Sequence, residues 1–141
     1  MNLPSDRSEF QRWVDEFMVK AGQELPPCPV VPSDESLALR VGLIEEELDE
    51  LKQAVRDRDI VKIADGLIDI LVVTLGGLSA CGMSDHALMN EVMRNNMAKF
   101  GPGGYRREDG KWCKPPGHQP PDIEGILTRQ GYRSQCEDRR A

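Results

Sequence analysis

The distribution of proline constrains the fold of this chain more than any other feature of its sequence. None of the ten prolines falls within residues 33–100, whereas four lie in residues 26–32 and five in residues 101–121. Proline lacks an amide hydrogen and disrupts both helices and central strands, so neither proline-rich segment is expected to form them. Apolar residues in the proline-free segment recur at helical spacing, with little strand alternation. The sequence therefore predicts an all-α protein.

Capping residues mark the ends of the long helices. Ser33 or Asp34 precedes the first of them and is expected to cap it. Ser84 or Asp85 is expected to cap the last long helix in the same way. Five helices are predicted in total, at about residues 6–20, 34–56, 59–81, 84–100 and 121–130.

The length and composition describe a single domain. With 141 residues and no internal repeat, the chain is expected to form one domain over residues 1–141. Residues 101–121 should be irregular, and residues 131–141 should fray. The net charge of −6 argues against nucleic-acid binding, and an aromatic content of 5% leaves few side chains on which bases could stack.

Cysteine usage and hydropathy predict a cytoplasmic protein. The four cysteines include no CxxC pair and are expected to be free thiols in a reducing compartment. The first ten residues contain no apolar signal core. The apolar run at residues 66–83 contains Asp69 and directly follows Asp65, which argues against a membrane span.

The segment IEEELDELKQAV, residues 44–55, carries five carboxylates within six residues. A helix turns by about 100° per residue, so these acids divide into two groups around an apolar stripe. The stripe, expected to be buried, consists of Ile44, Leu48, Leu51 and Val55. The group on one side of it consists of Glu46, Glu47 and Glu50. The group on the other side, near Lys52, consists of Glu45 and Asp49, and we expect it to be solvated.

The following predicted helix is apolar in nearly every direction, which is typical of a buried helix. Asp65 and Asp69 stand four residues apart within it and share one narrow face. Buried carboxylates need a partner, and this helix offers Lys62 as the one cation at helical spacing. The two aspartates are therefore expected to meet charges from another element.

A short turn at residues 56–59 predicts that these two helices run antiparallel. The register then places Glu50 opposite Asp65. It also places Glu46 or Glu47 opposite Asp69. Carboxylates at such distances repel one another unless a cation lies between them, and the hard, oxygen-preferring Mg²⁺ is the natural choice, with Mn²⁺ as a substitute. Such a site commonly holds a polyphosphate, whose oxygens Asn96 and Lys99 on the next helix could bind.

Three segments resemble the all-α nucleoside triphosphate pyrophosphohydrolases. This group includes MazG-like, phosphoribosyl-ATP-pyrophosphohydrolase-like and dimeric dUTPase-like proteins, and the third segment is most similar to short, stand-alone MazG-like members. The segments are EEELDEL at 45–51, DGLIDILVVTLGGLSACGM at 65–83, and VMRNNMAKFGPGGYRREDGKWCKPPGHQPPDI at 92–123.

The resemblance implies a reaction and a set of site residues. The reaction is hydrolysis of a nucleoside triphosphate between its α- and β-phosphates, giving a monophosphate and pyrophosphate. Glu46 would orient or deprotonate the attacking water. The Mg²⁺ ligands would be Glu47, Glu50, Asp65 and Asp69. Asn96 and Lys99 match the phosphate-binding positions, and the first helix would help to form the base pocket through Phe10, Trp13 or Phe17.

One position departs from the family pattern. The second acidic motif is usually Glu-x-x-Asp, and its glutamate position is occupied here by Gly66. Asp65 is the expected substitute, because a residue four positions before Asp69 still faces the same way. The number of metal ions that the site holds is left open by this change.

Two other kinds of protein also carry carboxylates on paired helices. A di-iron helical bundle also uses carboxylates on paired helices, but it needs Glu-x-x-His motifs. No histidine stands three residues after an acid in these helices. A non-catalytic helical interaction module, with the acids as a docking surface or a relic of lost catalysis, is the alternative that the Gly66 substitution keeps open.

Oligomerisation is expected from the apolar helix. Four helices of one short chain scarcely cover a helix that is apolar all round. A homodimer with a four-helix core would cover it, and the resemblance implies that tetramers also occur.

Overall fold

A computed structural model describes residues 6–133, and this part of the chain confirms the all-α prediction. The long helices are α1 (Glu9–Lys20), α2 (Asp34–Arg56), α3 (Ile60–Ala80) and α4 (Asp85–Met97), and a short α5 (Ile123–Arg129) follows. Residues Ala98–Phe100 extend α4 by one 3₁₀ turn. The predicted helix boundaries are confirmed to within about three residues. Of residues 131–141, which were expected to fray, the structure describes residues 131–133, and residues 134–141 lie outside the described part of the chain.

The segment at residues 101–121 is less irregular than predicted. It contains a small antiparallel hairpin of β1 (Tyr105–Arg106) and β2 (Trp112–Cys113). Gly110 has a φ of +88°, a conformation that favours glycine, and lies in the turn between the strands. Two-residue strands have almost no periodicity, which is why the sequence pattern did not reveal them.

The α2–α3 hairpin is antiparallel, as the short turn predicted. Ser33 caps α2, since its hydroxyl accepts a hydrogen bond from the Ser36 amide at 3.2 Å. In the turn, Arg58 has a φ of +53°. The Asp59 carboxylate then caps α3 by accepting the Val61 amide at 3.0 Å. These local signals close the turn and bring the two acidic helices side by side.

The start of α4 differs from the predicted cap. Ser84 occupies the N-cap position but makes no side-chain hydrogen bond to the helix. The Asp85 carboxylate instead accepts a hydrogen bond from the Ser8 amide at 2.8 Å, and so binds the residue that caps α1. The acid therefore joins the beginnings of α1 and α4.

A small apolar core joins α1 to the end of α3. It consists of Met18, Leu25 and Ala80, with Val14 packed against it. Gly76 lies beside this core, where an added Cβ would make an ordinary contact of 3.6 Å with the Met18 sulfur.

A buried polar network lies beside this core and was not predicted. Arg7 Nη1 contacts Asp15 Oδ2 at 2.9 Å, and both side chains are fully buried. Ser79 donates to the other oxygen of Asp15. Gln11 donates to Ser79 at 2.9 Å and accepts the Asp85 amide at 2.8 Å. The network ties α1 to the end of α3 and the start of α4.

A single chain leaves α3 only partly buried, and its coverage by a second copy stays a prediction. Leu67 and Ile68 are 53% and 59% exposed, and on α2 the supposedly buried Leu48 and Val55 are 40% and 55% exposed. One short chain packs α3 against α1 and α2 and leaves its remaining directions open.

In the described part of the chain, no helix is by itself long and apolar enough to cross a membrane. Helices α3 and α4 reach that length and apolarity only as a pair, with a 117° bend between them.

Cys28, Cys81 and Cys113 are free thiols, as predicted. Cys136 lies outside the described residues.

Candidate active site

The predicted acids gather around Glu47 on the α2–α3 hairpin. Burial raises the pKa of Glu47, and the charges of Asp69, Glu50, Glu46 and Asp65 raise it further, in that order. All four acids therefore lie near enough to Glu47 for their charges to act on its carboxylate. The two acids predicted to be solvated, Glu45 and Asp49, are exposed.

Glu47 carries a carboxylate oxygen that is buried without compensation. Its Oε2 atom has no hydrogen-bond partner among residues 6–133. An unpaired buried carboxylate is costly, and neighbouring carboxylates add repulsion. An oxygen-rich donor set with this deficit fits a hard divalent cation such as Mg²⁺. Among the described residues, however, no three acidic, histidine or cysteine side chains are arranged closely enough to hold a metal ion together.

A polar cleft adjoins these acids at the hairpin end. Its volume is about 340 Å³, and it lies between the last turns of α2 and the first turns of α3. The lining residues are Glu50, Gln53, Ala54, Asp57, Lys62, Asp65 and Gly66. Three of these side chains are carboxylates and Lys62 is the one cation among them, so an anionic group would need a bound metal ion to enter this cleft.

An apolar cleft lies between α1 and α3, further along α3 from the turn. Its volume is about 360 Å³, and its lining residues are Phe10, Trp13, Val14, Phe17, Ile68, Leu71, Val72 and Leu75. Ile68 directly precedes Asp69 in the chain. The Phe10 and Trp13 rings meet edge to face, with centroids 5.5 Å apart. The cleft thus offers exposed aromatic surface on a segment of α3 that begins beside Asp69 in the sequence.

Asn96 and Lys99 pair with each other. Lys99 Nζ donates to Asn96 Oδ1 at 2.8 Å. Helix α4 leaves α3 at an angle of 117°, and roughly 16 Å of helix separates Asn96 from the beginning of α4. Within the described residues, the pair shares no hydrogen bond with the acids of α2 and α3, and neither residue lines the polar cleft or the apolar cleft.

The sequence profile of the phosphoribosyl-ATP pyrophosphohydrolase family matches residues 14–96, which is more than half of the chain. The protein belongs to this family. The family is part of the all-α nucleoside triphosphate pyrophosphohydrolase superfamily, and membership supports a pyrophosphohydrolase-type activity in general. No match was found among curated proteins.

The family match covers the acids but not the whole candidate site. All five acids and Asn96 lie inside residues 14–96, as does Phe17. Trp13 and Lys99 lie just outside. The roles of these residues in this pyrophosphohydrolase family member stay predictions.

Gly66 is packed where the family pattern has a glutamate. A Cβ added at Gly66 would lie 3.4 Å from both the Cα and the Cβ of Leu51 on α2. A longer side chain would have to push the two helices apart. Asp65 lines the polar cleft one position earlier, and its role as the substitute for this glutamate stays a prediction.

We expect Gly66→Ala and Gly66→Glu to differ clearly in stability. The alanine should be accommodated with little loss, since its Cβ only touches Leu51. The glutamate should cost about 1–3 kcal/mol or more through overpacking, and should not increase activity. Urea unfolding of both variants measures the difference. A stable and more active Gly66→Glu protein would contradict this account of the helix contact.

Two features of the site escaped the sequence analysis. The cleft at the hairpin end was not foreseen, although the position of Lys62 three residues before Asp65 was a signal that they share a face. The contacts that residues 101–122 make with α4 were not foreseen either, since they join residues far apart in the chain.

Proposed function

We propose that the protein hydrolyses nucleoside triphosphates between the α- and β-phosphates, with Mg²⁺ as the cofactor. The observation that supports this most strongly is the buried, unpartnered oxygen Oε2 of the half-buried Glu47, whose carboxylate also feels the charges of four other acids. In this proposal Glu47, Glu50, Asp65 and Asp69 hold Mg²⁺, and Mn²⁺ could replace it. The bound ion would neutralise charge on the phosphates and polarise the phosphorus that is attacked.

Glu46 is proposed as the general base. Its side chain is exposed on α2 and adjoins Glu47. A carboxylate in this position can orient a water and accept its proton as the water attacks the α-phosphorus. The α–β bond then breaks, and pyrophosphate leaves with the electron pair.

The two clefts suggest how the substrate lies along the hairpin. Along α3, the polar cleft is lined by residues 62–66 and the apolar cleft by residues 68–75, so Asp65 and Asp69 lie where these two sets of residues meet in the sequence. We propose that the base stacks on Trp13 and Phe17 in the apolar cleft. The triphosphate would then extend over the acids towards Lys62, with the leaving pyrophosphate in the polar cleft.

Asn96 and Lys99 are proposed to bind phosphate oxygens, because an amide and an ammonium on one face supply complementary donors. Their separation from the acids within one chain is consistent with a second copy completing the site. We propose a homodimer, and further association into a tetramer would use surfaces that the dimer leaves free.

The exposed methionines of α4 are the proposed dimer surface. Met89, Met93 and Met97 recur every four residues and are 56%, 48% and 61% exposed. Met93→Glu should place a charge in the interface and shift the protein towards monomer. Light scattering after size exclusion measures this, with Glu45→Lys as an exposed control on α2. An unchanged mass for Met93→Glu would place the interface elsewhere.

The aromatic cleft predicts a defect in substrate binding. Stacking a base on an aromatic side chain contributes about 1–3 kcal/mol, so Trp13→Ala should raise KM roughly tenfold or more with a smaller change in kcat. Tyr105→Ala is a matched control, because Tyr105 is as exposed as Trp13 (58% and 57%) but lies on the hairpin. Equal KM values for the two variants would remove Trp13 from the base site.

The proposed reaction is tested with the eight common ribo- and deoxyribonucleoside triphosphates and Mg²⁺, followed by phosphorus NMR. Release of pyrophosphate from at least one nucleotide supports the proposal. Release of orthophosphate would show that a different bond is cleaved. No turnover with Mg²⁺ or Mn²⁺ would favour the alternative, a non-catalytic helical interaction module.

A further inference from the structure

Residues 101–122 are fastened along one stripe of α4. Glu91, Asn95 and Lys99 recur every four residues and therefore share a face of the helix. The segment reaches each of them through a hydrogen bond. The contacts are Asp122 N to Glu91 Oε1 at 3.0 Å, Asn95 Nδ2 to Gln119 O at 2.6 Å, and Trp112 Nε1 to Lys99 O at 2.8 Å.

Trp112 closes the last of these contacts. Its indole N–H donates to the Lys99 carbonyl, and its ring lies against Phe100 with centroids 5.0 Å apart. Gly104 makes the approach possible, because a Cβ at this position would lie 2.0 Å from the Lys99 carbonyl oxygen. The hairpin and the helix end are thus fitted closely together.

The Lys99 carbonyl is a group that helix geometry leaves without a partner. The last four carbonyls of a helix have no intrahelical donor, and helix ends fray unless other groups bind these oxygens. Trp112 provides such a donor from β2. The side chain of Lys99 leaves the same residue and donates to Asn96, so holding the backbone restricts where the ammonium–amide pair can lie.

We propose that Trp112 is a positioning residue for substrate phosphate, acting through Lys99. The indole N–H holds the last turn of α4 so that Lys99 and Asn96 are presented as a preformed pair. Preorganised groups bind a ligand more tightly because less freedom is lost on binding. The inference rests on the proposed function, specifically on phosphate binding by Lys99, and gives residues 101–122 a role in it.

A double-mutant cycle tests the inference. Trp112→Phe keeps a ring against Phe100 and removes the N–H donor; Lys99→Met removes the ammonium. Kinetics are measured for wild type, both single variants and the double variant. Trp112→Phe should raise KM roughly fivefold, the value of one ordinary hydrogen bond, with kcat nearly unchanged. In the Lys99→Met background it should add no further change in KM.

Any other outcome contradicts either the positioning role of Trp112 or phosphate binding by Lys99. An unchanged KM in Trp112→Phe, or an equal rise with and without Lys99, would overturn the positioning role, whatever happens to the melting temperature. An unchanged KM in Lys99→Met would overturn phosphate binding by Lys99 and the inference with it. In both cases pyrophosphate release by the wild type would stand, whereas its absence would refute the proposed function itself.

Two further variants guard against a general folding defect. Gly104→Ala keeps the tryptophan but should force the hairpin that carries it away from the Lys99 carbonyl, and should therefore reproduce the rise in KM. Tyr105→Phe changes an exposed aromatic residue of the same hairpin and should leave KM unchanged. A Gly104→Ala protein that folds and keeps the wild-type KM would overturn the proposal even if Trp112→Phe does not fold.

Discussion

Glu47→Gln should reduce pyrophosphate release at least roughly a hundredfold. Even the outer-shell partners of metal ligands cost about 10- to 100-fold when they are changed, and Glu47 is proposed to bind the metal directly. The substitution keeps the shape of the Glu47 side chain and removes its negative charge, on which the charges of four other acids act. Phosphorus NMR of the reaction, at equal protein and Mg²⁺ concentrations, measures the loss.

Glu45→Gln is the matched control for this variant. It removes the same charge from the same helix, but at an exposed position on the other side of the stripe. Activity should stay within a factor of about two, as expected of a surface substitution away from such a site. Equal activity in the two variants would show that the carboxylates around Glu47 do not form the catalytic site.

In the metal-free protein, Glu47→Gln should increase folding stability, although the same substitution lowers activity. The folded-state pKa of Glu47 is raised above its ordinary value of 4.5, so the folded chain binds this proton more tightly than the unfolded chain. The stability associated with this group is therefore present below pH 4.5 and is lost as pH rises through the raised pKa.

Thermal unfolding at several pH values measures this effect. Without metal, Glu47→Gln should become more stable than wild type as pH increases through that window. Millimolar Mg²⁺ should stabilise wild type more than the variant, since a ligand that binds the folded state raises its stability. A wild type that is insensitive to both pH and Mg²⁺ would argue against repulsion among these acids.

Asp15→Ala should be the most destabilising of the substitutions considered, at about 3–5 kcal/mol. The Arg7–Asp15 pair is fully buried, and removal of one partner leaves an uncompensated charge inside the protein. Ser79 would lose its acceptor on Asp15, and this would disturb the Gln11–Ser79 hydrogen bond that links α1 to the end of α3. Equilibrium unfolding in urea measures the change.

Glu16→Ala provides the comparison for this effect. Glu16 follows Asp15 on α1 and forms an exposed ion pair with Lys20 at 2.9 Å. Exposed pairs of this kind contribute about 0–1 kcal/mol, so the variant should unfold nearly as wild type does. If Asp15→Ala costs no more than Glu16→Ala, the network around Arg7 does not hold α1 in place.

The sequence was most informative where its patterns are local. Helix positions follow from apolar periodicity and capping residues, which depend on neighbours within a few turns. The short turn before Asp59 then implied an antiparallel hairpin, and simple register placed Asp65 and Asp69 near the glutamates of α2. That is why the acid cluster around Glu47 could be predicted before the fold was known.

Exposure was harder to predict. An apolar residue such as Ile68 has the same periodicity whether another helix of the chain, a second copy or a substrate covers it. The pattern identified α3 as a helix that must be covered, but the single chain leaves Ile68 59% exposed. What covers a face depends on the arrangement of whole helices, which local patterns do not encode.

The sequence alone determined that this chain is helical and that two of its helices carry facing carboxylates, because helical periodicity and a four-residue turn are short-range properties. Tertiary structure decided the rest. It packed Gly66 against Leu51, buried Arg7 with Asp15, and placed Trp112 on the carbonyl of Lys99. Each of these contacts joins residues that come together only after the helices have packed, so each depends on distances that no local pattern records.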